Sequence, residues 1–246
     1  MHRAALGAAG IAATYEAIDV APARLASVLA ALARDECAGN VTVPHKESVF
    51  AACAAVTGDA ARCRAVNTFW HTAGELHGDN TDVGGFAAAA ATLLGHATPH
   101  GIAVLGAGGA ARAVAAAATR WDGATVVVWN RTSERAALLA RDFAHVRVAR
   151  TQRECMTGAD IVVNATSVGL LDDSLPADPS LIPEETAVLD LVYRPPDGTA
   201  FVRAARQRGH RTADGTAMLV EQGALAFERW FGAPADREAM LQAVLR

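Results

Sequence analysis

The sequence predicts an α/β protein built on a doubly wound parallel sheet, with a second, smaller α/β domain beside it. Three observations carry this expectation. Ile102-Ala-Val-Leu105 reads as an apolar strand that runs straight into Gly106-Ala-Gly-Gly-Ala-Ala111, which opens an apolar helix. A second β-branched run, Ala124-Thr-Val-Val-Val-Trp-Asn130, follows about twenty residues later and completes a β-α-β unit. Further short strand candidates at 146–149, 161–164, 188–191 and 211–213 alternate with helical or loop segments, as a doubly wound sheet requires.

Taken in order, residues 1–10 read as an Ala-rich helix with Gly10 near its end. Thr14-Tyr-Glu-Ala-Ile-Asp-Val20 alternates as a strand should, and Pro22 with apolar positions at helical spacing through Leu32 marks the next helix. The run Ala38-Gly-Asn-Val-Thr-Val-Pro-His-Lys-Glu47 predicts a short strand broken by Pro44, then a helix carrying Val49, Phe50, Ala54 and Val56. Residues 65–70 form another strand candidate, and Gly74 marks a hairpin. Glu75 to Asp82 then lead into a long Ala-rich helix, a plausible connector between domains. After the six strands, 215–230 and 235–245 read as two more helices, expected to fold back on the first domain. The expected division is 1–84 with 215–246 as the smaller, discontinuous domain, and 85–214 as the domain of the parallel sheet.

The 246 residues leave room for two modest domains, and 52% hydrophobic content supplies their cores. A net charge of −4 and a pI near 6.0 give no basic footprint, so nucleic acid is not expected as a partner. No apolar run approaches the ~18 residues of a membrane span, and no signal-peptide pattern leads the chain. The expected setting is the cytoplasm. Cys37, Cys53, Cys63 and Cys155 form no C-x-x-C pair and read as core or surface thiols. His71 and His77 lie near Asp79 and Asp82 in sequence, but without a metal-ligand spacing no metal is expected.

The glycine cluster has the spacing G-x-G-x-x-A. Gly106 and Gly108 are read as positions where a side chain would be forbidden, and small Ala111 as letting the helix approach the strand. Amide groups at the helix start would then face a pyrophosphate. Alone, the spacing fits a plain strand-to-helix turn equally well; the following strand favours the dinucleotide. At the end of that strand Asn130-Arg-Thr132, with Arg135 a turn later, stands where an NAD site wants a carboxylate. Arginine suits a 2′-phosphate, so NADP is the expected cofactor. In the first half, Lys46 and Asp82 suit reduction of a ketone, a lysine supplying the donor and a carboxylate orienting it. By itself Lys46 reads as a surface lysine, and Asp79 to Asp82 as a turn with a helix cap.

Eight blocks in order resemble the shikimate dehydrogenase family: Asn40-Val-Thr-Val-Pro-His-Lys46, Ala65-Val-Asn-Thr68, Gly78-Asp-Asn-Thr-Asp82, Gly106-Ala-Gly-Gly-Ala-Ala111, Asn130-Arg-Thr132, Asn164-Ala-Thr-Ser-Val-Gly169, Asp190-Leu-Val-Tyr193 and Met218-Leu-Val-Glu-Gln222. The resemblance runs nearly end to end. It implies reversible reduction of 3-dehydroshikimate to shikimate with NADPH, Lys46 being the catalytic lysine and Asp82 its partner. It implies that Thr42, Asn67 and Gln222 hold the polyol and Tyr193 closes the pocket. It places the cofactor on Gly106, Ala107, Gly108, Gly109, Ala110 and Ala111, with Asn130, Arg131, Thr132 and Arg135, along Ala165 and Thr166, and near Gly215 and Met218. A small-molecule substrate and a monomer or homodimer follow.

Two departures stand out. The family begins with a strand and a Ser-x-Ser loop that holds the substrate carboxylate, whereas this sequence starts in the following helix, so the expectation is a natural product that begins upstream. Glu221 stands where the family usually has histidine, which adds negative charge near an anionic substrate. Alternatives left open are a quinate or aminoshikimate dehydrogenase relative and a non-catalytic NADP-binding protein. Methylenetetrahydrofolate dehydrogenase shares the architecture, but Lys46, Asn67 and Asp82 speak for a polyol.

Overall fold

In the computed structural model, which describes residues 1–95, 98–194 and 196–246, the chain forms two units. The first comprises Met1–Val83 with Gln222–Val244 and Arg246, and the second Gly84–Glu221 with Leu245.

The first unit opens with α1 (His2–Ala8), whose Ala5 and Leu6 are buried, and Gly10 leaves the helix at φ +64°. Pro22 starts a 3-10 turn that feeds α2 (Leu25–Arg34), and Leu25, Leu29 and Leu32 pack on a core of Val49, Ala60, Val66 and Phe69. Then follow β1 (Gly39–Asn40), α3 (Lys46–Ala52), β2 (Ala55–Val56) and α4 (Gly58–Cys63). The Thr57 side chain caps α4 by accepting from the Ala60 N–H, so Ala55 and Val56 belong to a strand and not to the predicted helix, which ends at Ala52. The hairpin of β3 (Thr68–Thr72) and β4 (Glu75–Asp79) turns on Ala73 and Gly74, both at positive φ, the pairing that a tight two-residue turn demands. Residues 65–67 thus precede the strand expected to contain them. The sheet order is β1-β3-β4-β2, antiparallel except for the parallel β2–β4 pair.

Residues 14–20 are not a strand. They line a cavity of about 280 Å³ together with α2, residues 37–42, His45, Val49 and Phe69. Side chains hold the segment instead: Tyr15 Oη donates to Asn40 Oδ1 at 2.9 Å, and Arg3 Nε donates to the Tyr15 carbonyl at 2.8 Å. Alternation specifies which face each side chain would take, but a strand also needs a partner.

Helix α5 (Asp82–Leu93) leads into the second unit. Here β5 (Gly101–Leu105), α6 (Gly109–Ala118), β6 (Thr125–Trp129), α7 (Ser133–Asp142), β7 (Val146–Val148), α8 (Gln152–Met156), β8 (Ile161–Asn164), β9 (Ala187–Asp190), α9 (Ala200–Gln207) and β10 (Thr212–Ala213) alternate. All neighbouring strands are parallel, in the order β7-β6-β5-β8-β9-β10. This is the 3-2-1-4-5-6 order of a Rossmann sheet, reversing between β5 and β8, where such sheets bind ligands. The central strands are buried on both faces, Ile161–Asn164 throughout, and each buried Val or Ile contributes roughly 1.5–3 kcal/mol.

The last two helices are α10 (Thr216–Phe231) and α11 (Arg237–Leu245), the latter capped by Asp236 accepting from the Ala239 N–H at 2.9 Å. Residues 215–221 group with the second unit. Gly215 sits there against the backbone of Leu191 and Tyr193, where a Cβ would collide, and its N–H donates to the Val192 carbonyl at 3.2 Å.

Candidate active site

In the first unit, the hairpin and two helix starts bring the polar residues together. Lys46 opens α3, Asp82 opens α5 directly after β4, and Asn67 immediately precedes β3. Two backbone bonds fix these starting points: Val66 N–H donates to the Lys46 carbonyl at 2.9 Å, and Asn67 N–H to the Asp79 carbonyl at 3.0 Å. Lys46 Nζ donates to Asp82 Oδ2 at 2.7 Å, with little of either side chain exposed. Asn67 Nδ2 donates to Asp82 Oδ1 at 2.8 Å and to Thr81 Oγ1 at 3.0 Å. In return Asn67 Oδ1 accepts from Thr81 N at 2.8 Å and from Thr81 Oγ1 at 3.2 Å. The Asp82 carboxylate also lies in the first turn of its helix, where negative charge is favoured.

Of the other predicted substrate residues, Gln222 joins the group, its Oε1 accepting from Asn67 Nδ2 at 3.4 Å. Thr42 is exposed in the turn before Lys46, where its carbonyl accepts from His45 N at 2.9 Å. Tyr193 lies in the second unit, 41% exposed. Thr81, which motif spacing does not single out, proves central because it meets both ends of the Asn67 amide. Beneath this group Asp79 accepts from the Thr57 hydroxyl, from Asn80 N at 2.7 Å and from Arg229 Nη2 at 3.0 Å, bracing the turn that presents Asp82.

His71 Nδ1 lies 2.7 Å from the Cys37 carbonyl, and the His77 ring stacks on Trp70 at 5.7 Å. Among the described residues no group of three or more His, Cys, Asp or Glu is placed to hold a metal.

The second unit carries the glycine turn. Gly106 has φ +108°, and a Cβ there would press on Thr166 Cγ2 and the Ala165 carbonyl oxygen, at 2.8 and 2.9 Å. Its N–H donates to the Trp129 carbonyl at 2.8 Å, and Ala165 N–H donates to the Leu105 carbonyl at 2.8 Å, so the turn adjoins the ends of both β6 and β8. Gly108 corrects the sequence reading. Its φ is −93°, open to any residue, and a Cβ at Gly108 or Gly109 would meet nothing within 4 Å. These glycines leave open space over the start of α6, where Gly108 gives no side-chain cap to the free N–H groups of the first turn. Ala107 and Ala110 flank them, and Ala111 is fully buried beneath. Such a cradle fits a pyrophosphate.

Beyond β6, Asn130 Nδ2 donates to the Thr132 carbonyl at 2.8 Å, fixing the turn into α7. Arg131 and Arg135 are exposed on it, and neither forms an ion pair among the described residues. After β8, Thr166 N and Oγ1 donate to Asn164 Oδ1 at 3.1 and 2.7 Å, while Met218 is buried in α10.

A Rossmann sheet with an open glycine turn at its order reversal, joined to a unit that holds a lysine–carboxylate pair, defines a class: an α/β protein of the dinucleotide-binding type with a separate polar site. Comparison with known proteins narrows the class. The shikimate dehydrogenase substrate binding domain matches residues 1–69, shikimate / quinate 5-dehydrogenase residues 88–170, and the shikimate 5'-dehydrogenase C-terminal domain residues 215–245. A shikimate dehydrogenase (NADP(+)) of Methylocella silvestris is 43% identical over 94% of this chain and 84% of its own length. One from Thermus thermophilus is 43% identical over 100% of this chain and 92% of its own. Among solved structures, the Thermus thermophilus shikimate 5-dehydrogenase in complex with NADP(H) and shikimate superimposes with a TM-score of 0.88 at 41% identity, covering 98% of this chain and 91% of that one. The Aquifex aeolicus shikimate dehydrogenase gives 0.93 at 33%, covering 100% and 91%. This chain belongs to the shikimate dehydrogenase family.

Proposed function

We propose that the chain interconverts 3-dehydroshikimate and shikimate with NADP as cofactor, in the cytoplasm, as a monomer or homodimer. The observation that carries this reading is the bonded set of Lys46, Asp82 and Asn67. When bound, NADPH supplies hydride to the substrate carbonyl carbon. Lys46 Nζ holds the proton that the carbonyl oxygen needs as negative charge gathers on it, and in the reverse direction takes the hydroxyl proton back. Asp82 holds the ammonium in place, and Asn67 keeps Asp82 in place. Thr42, Asn67, Gln222 and Tyr193 would supply donors and acceptors for a polyol, and a site that hydrogen-bonds substrate hydroxyls rejects analogues that leave its groups unpaired.

The cofactor residues fit the same reading. The cradle from Gly106 to Ala111 would take the pyrophosphate, and the exposed guanidinium groups of Arg131 and Arg135, beside Asn130 and Thr132, the 2′-phosphate. Ala165, Thr166, Gly215 and Met218 would line the remainder. Relatives whose names include NADP(+), and a solved relative in complex with NADP(H) and shikimate, support the assignment. NADP-linked oxidation of shikimate and of quinate tests it: faster turnover of shikimate is expected. Preferred quinate would redirect the substrate, and NADPH binding without turnover of either would make this a binding protein.

A further inference from the structure

One buried acid in the second unit lies outside the chemistry above. Asp190, at the end of β9, is fully buried and pairs in register with Asn164 at the end of β8. Its Oδ1 accepts from Asn164 Nδ2 at 2.8 Å and from Val192 N at 3.0 Å, and its Oδ2 from Thr199 Oγ1 at 2.6 Å. Thr199 in turn caps α9 by accepting from Val202 N at 3.2 Å. One carboxylate therefore joins the turn after β8, the turn after β9 and the start of α9. All three donors are neutral, and the nearby charge of Asp214 is of the same sign.

A carboxylate only accepts, whereas an amide has an accepting and a donating end. Facing Asp190 and, at 3.3 Å, the Val168 carbonyl, Asn164 must present Nδ2, which leaves its Oδ1 to Thr166 N and Thr166 Oγ1. Thr166 Oγ1 then accepts from Val168 N at 3.1 Å, and Thr166 is the residue Gly106 abuts. We propose that Asp190 is a positioning residue for the cofactor: it sets which way the Asn164 amide faces, and through Asn164 holds the Ala165–Thr166 turn beside the glycine cradle. This rests on the reading that the cradle binds NADP. Burial is the main influence on the Asp190 carboxyl, pushing it up to about 6 against its three hydrogen bonds.

Asp190→Asn tests the idea, because an amide there can offer its own NH₂ in place of the acceptor that holds Asn164 Nδ2 at 2.8 Å. NADPH affinity by fluorescence titration and steady-state constants for both substrates are the readouts. Asp190→Asn should raise the NADPH dissociation constant and KM about five-fold or more while KM for shikimate stays within about two-fold. Thr199→Val, which removes one anchor of the carboxylate, should raise them about three-fold and serves if Asp190→Asn fails to fold. The control is Thr186→Val, which deletes a hydrogen bond to the Ala159 carbonyl just before β9 and should lower thermal stability without changing NADPH affinity. Unchanged NADPH affinity in the folded Asp190 or Thr199 variant, or an equal loss in Thr186→Val, overturns the proposal alone. A wild-type protein that binds no NADPH overturns the cofactor reading and the proposal with it.

Discussion

The lysine–carboxylate group of the first unit and the glycine turn of the second are built on opposite plans. Around Asp82, side chains satisfy one another: Lys46, Asn67 and Thr81 are tied by bonds of 2.7 to 3.0 Å. Around Gly106 to Ala111 the chain leaves space, an uncapped helix start and two exposed arginines. The difference teaches what each chemistry requires. Under the proposed function, the group that handles a proton is held before the substrate arrives, while the turn that takes a phosphate keeps donors not yet committed elsewhere.

The sharpest way to break this comparison is Lys46→Ala. It should lower turnover about 10²- to 10⁴-fold while NADPH affinity changes little, because the lysine belongs to the self-contained group. Steady-state kinetics with a parallel NADPH titration checks it; equal losses of both would point to a folding defect.

A smaller effect is expected where the second unit departs from its own plan, at buried Asp190. Burial raises its pKa in the folded state to about 6, above the ordinary aspartate value of 3.8, so the folded state binds this proton more tightly. The resulting stabilisation is fully present below the unfolded value and is lost as pH rises through about 6. Relative to Asp190→Asn, the wild type should gain about 2 kcal/mol between pH 7.5 and pH 4, as read from urea midpoints. Parallel curves for the two proteins would contradict it.

The smallest effect sharpens the open site. Arg131→Ala should raise KM for NADPH about ten-fold and leave NADH within about two-fold, since only NADPH carries the extra phosphate. An unchanged preference would remove Arg131 from the site.

Long periodic segments were the readable part of the fold. The strand at 161–164 lies where the apolar run placed it, because a strand buried on both faces needs a continuous apolar stretch. The segment at 14–20 alternates but pairs with no strand, and alternation alone cannot report whether a partner is present. The two-residue strand Ala55–Val56 is too short for any period to register. In the site, residue type made Lys46 and Asp82 candidates, but their 2.7 Å contact depends on a hairpin and two helix starts meeting in space. Thr81 and Asp190 were legible only as members of motifs, since their roles come from which atoms they face. Gly108 was noticed for the wrong reason: its backbone is ordinary, and its value is the space left above it.

The two-sided bonding of Asn67 also bears on how the protein ages. Loss of ammonia from that side chain would exchange the Nδ2 donor, now 2.8 Å from Asp82 Oδ1, for an oxygen, setting two carboxylates face to face. The shape of the residue would hardly alter, yet Lys46 would have two acids to serve. Burial and hydrogen bonds at both ends of the amide therefore guard the chemical lifetime of the site as well as its geometry.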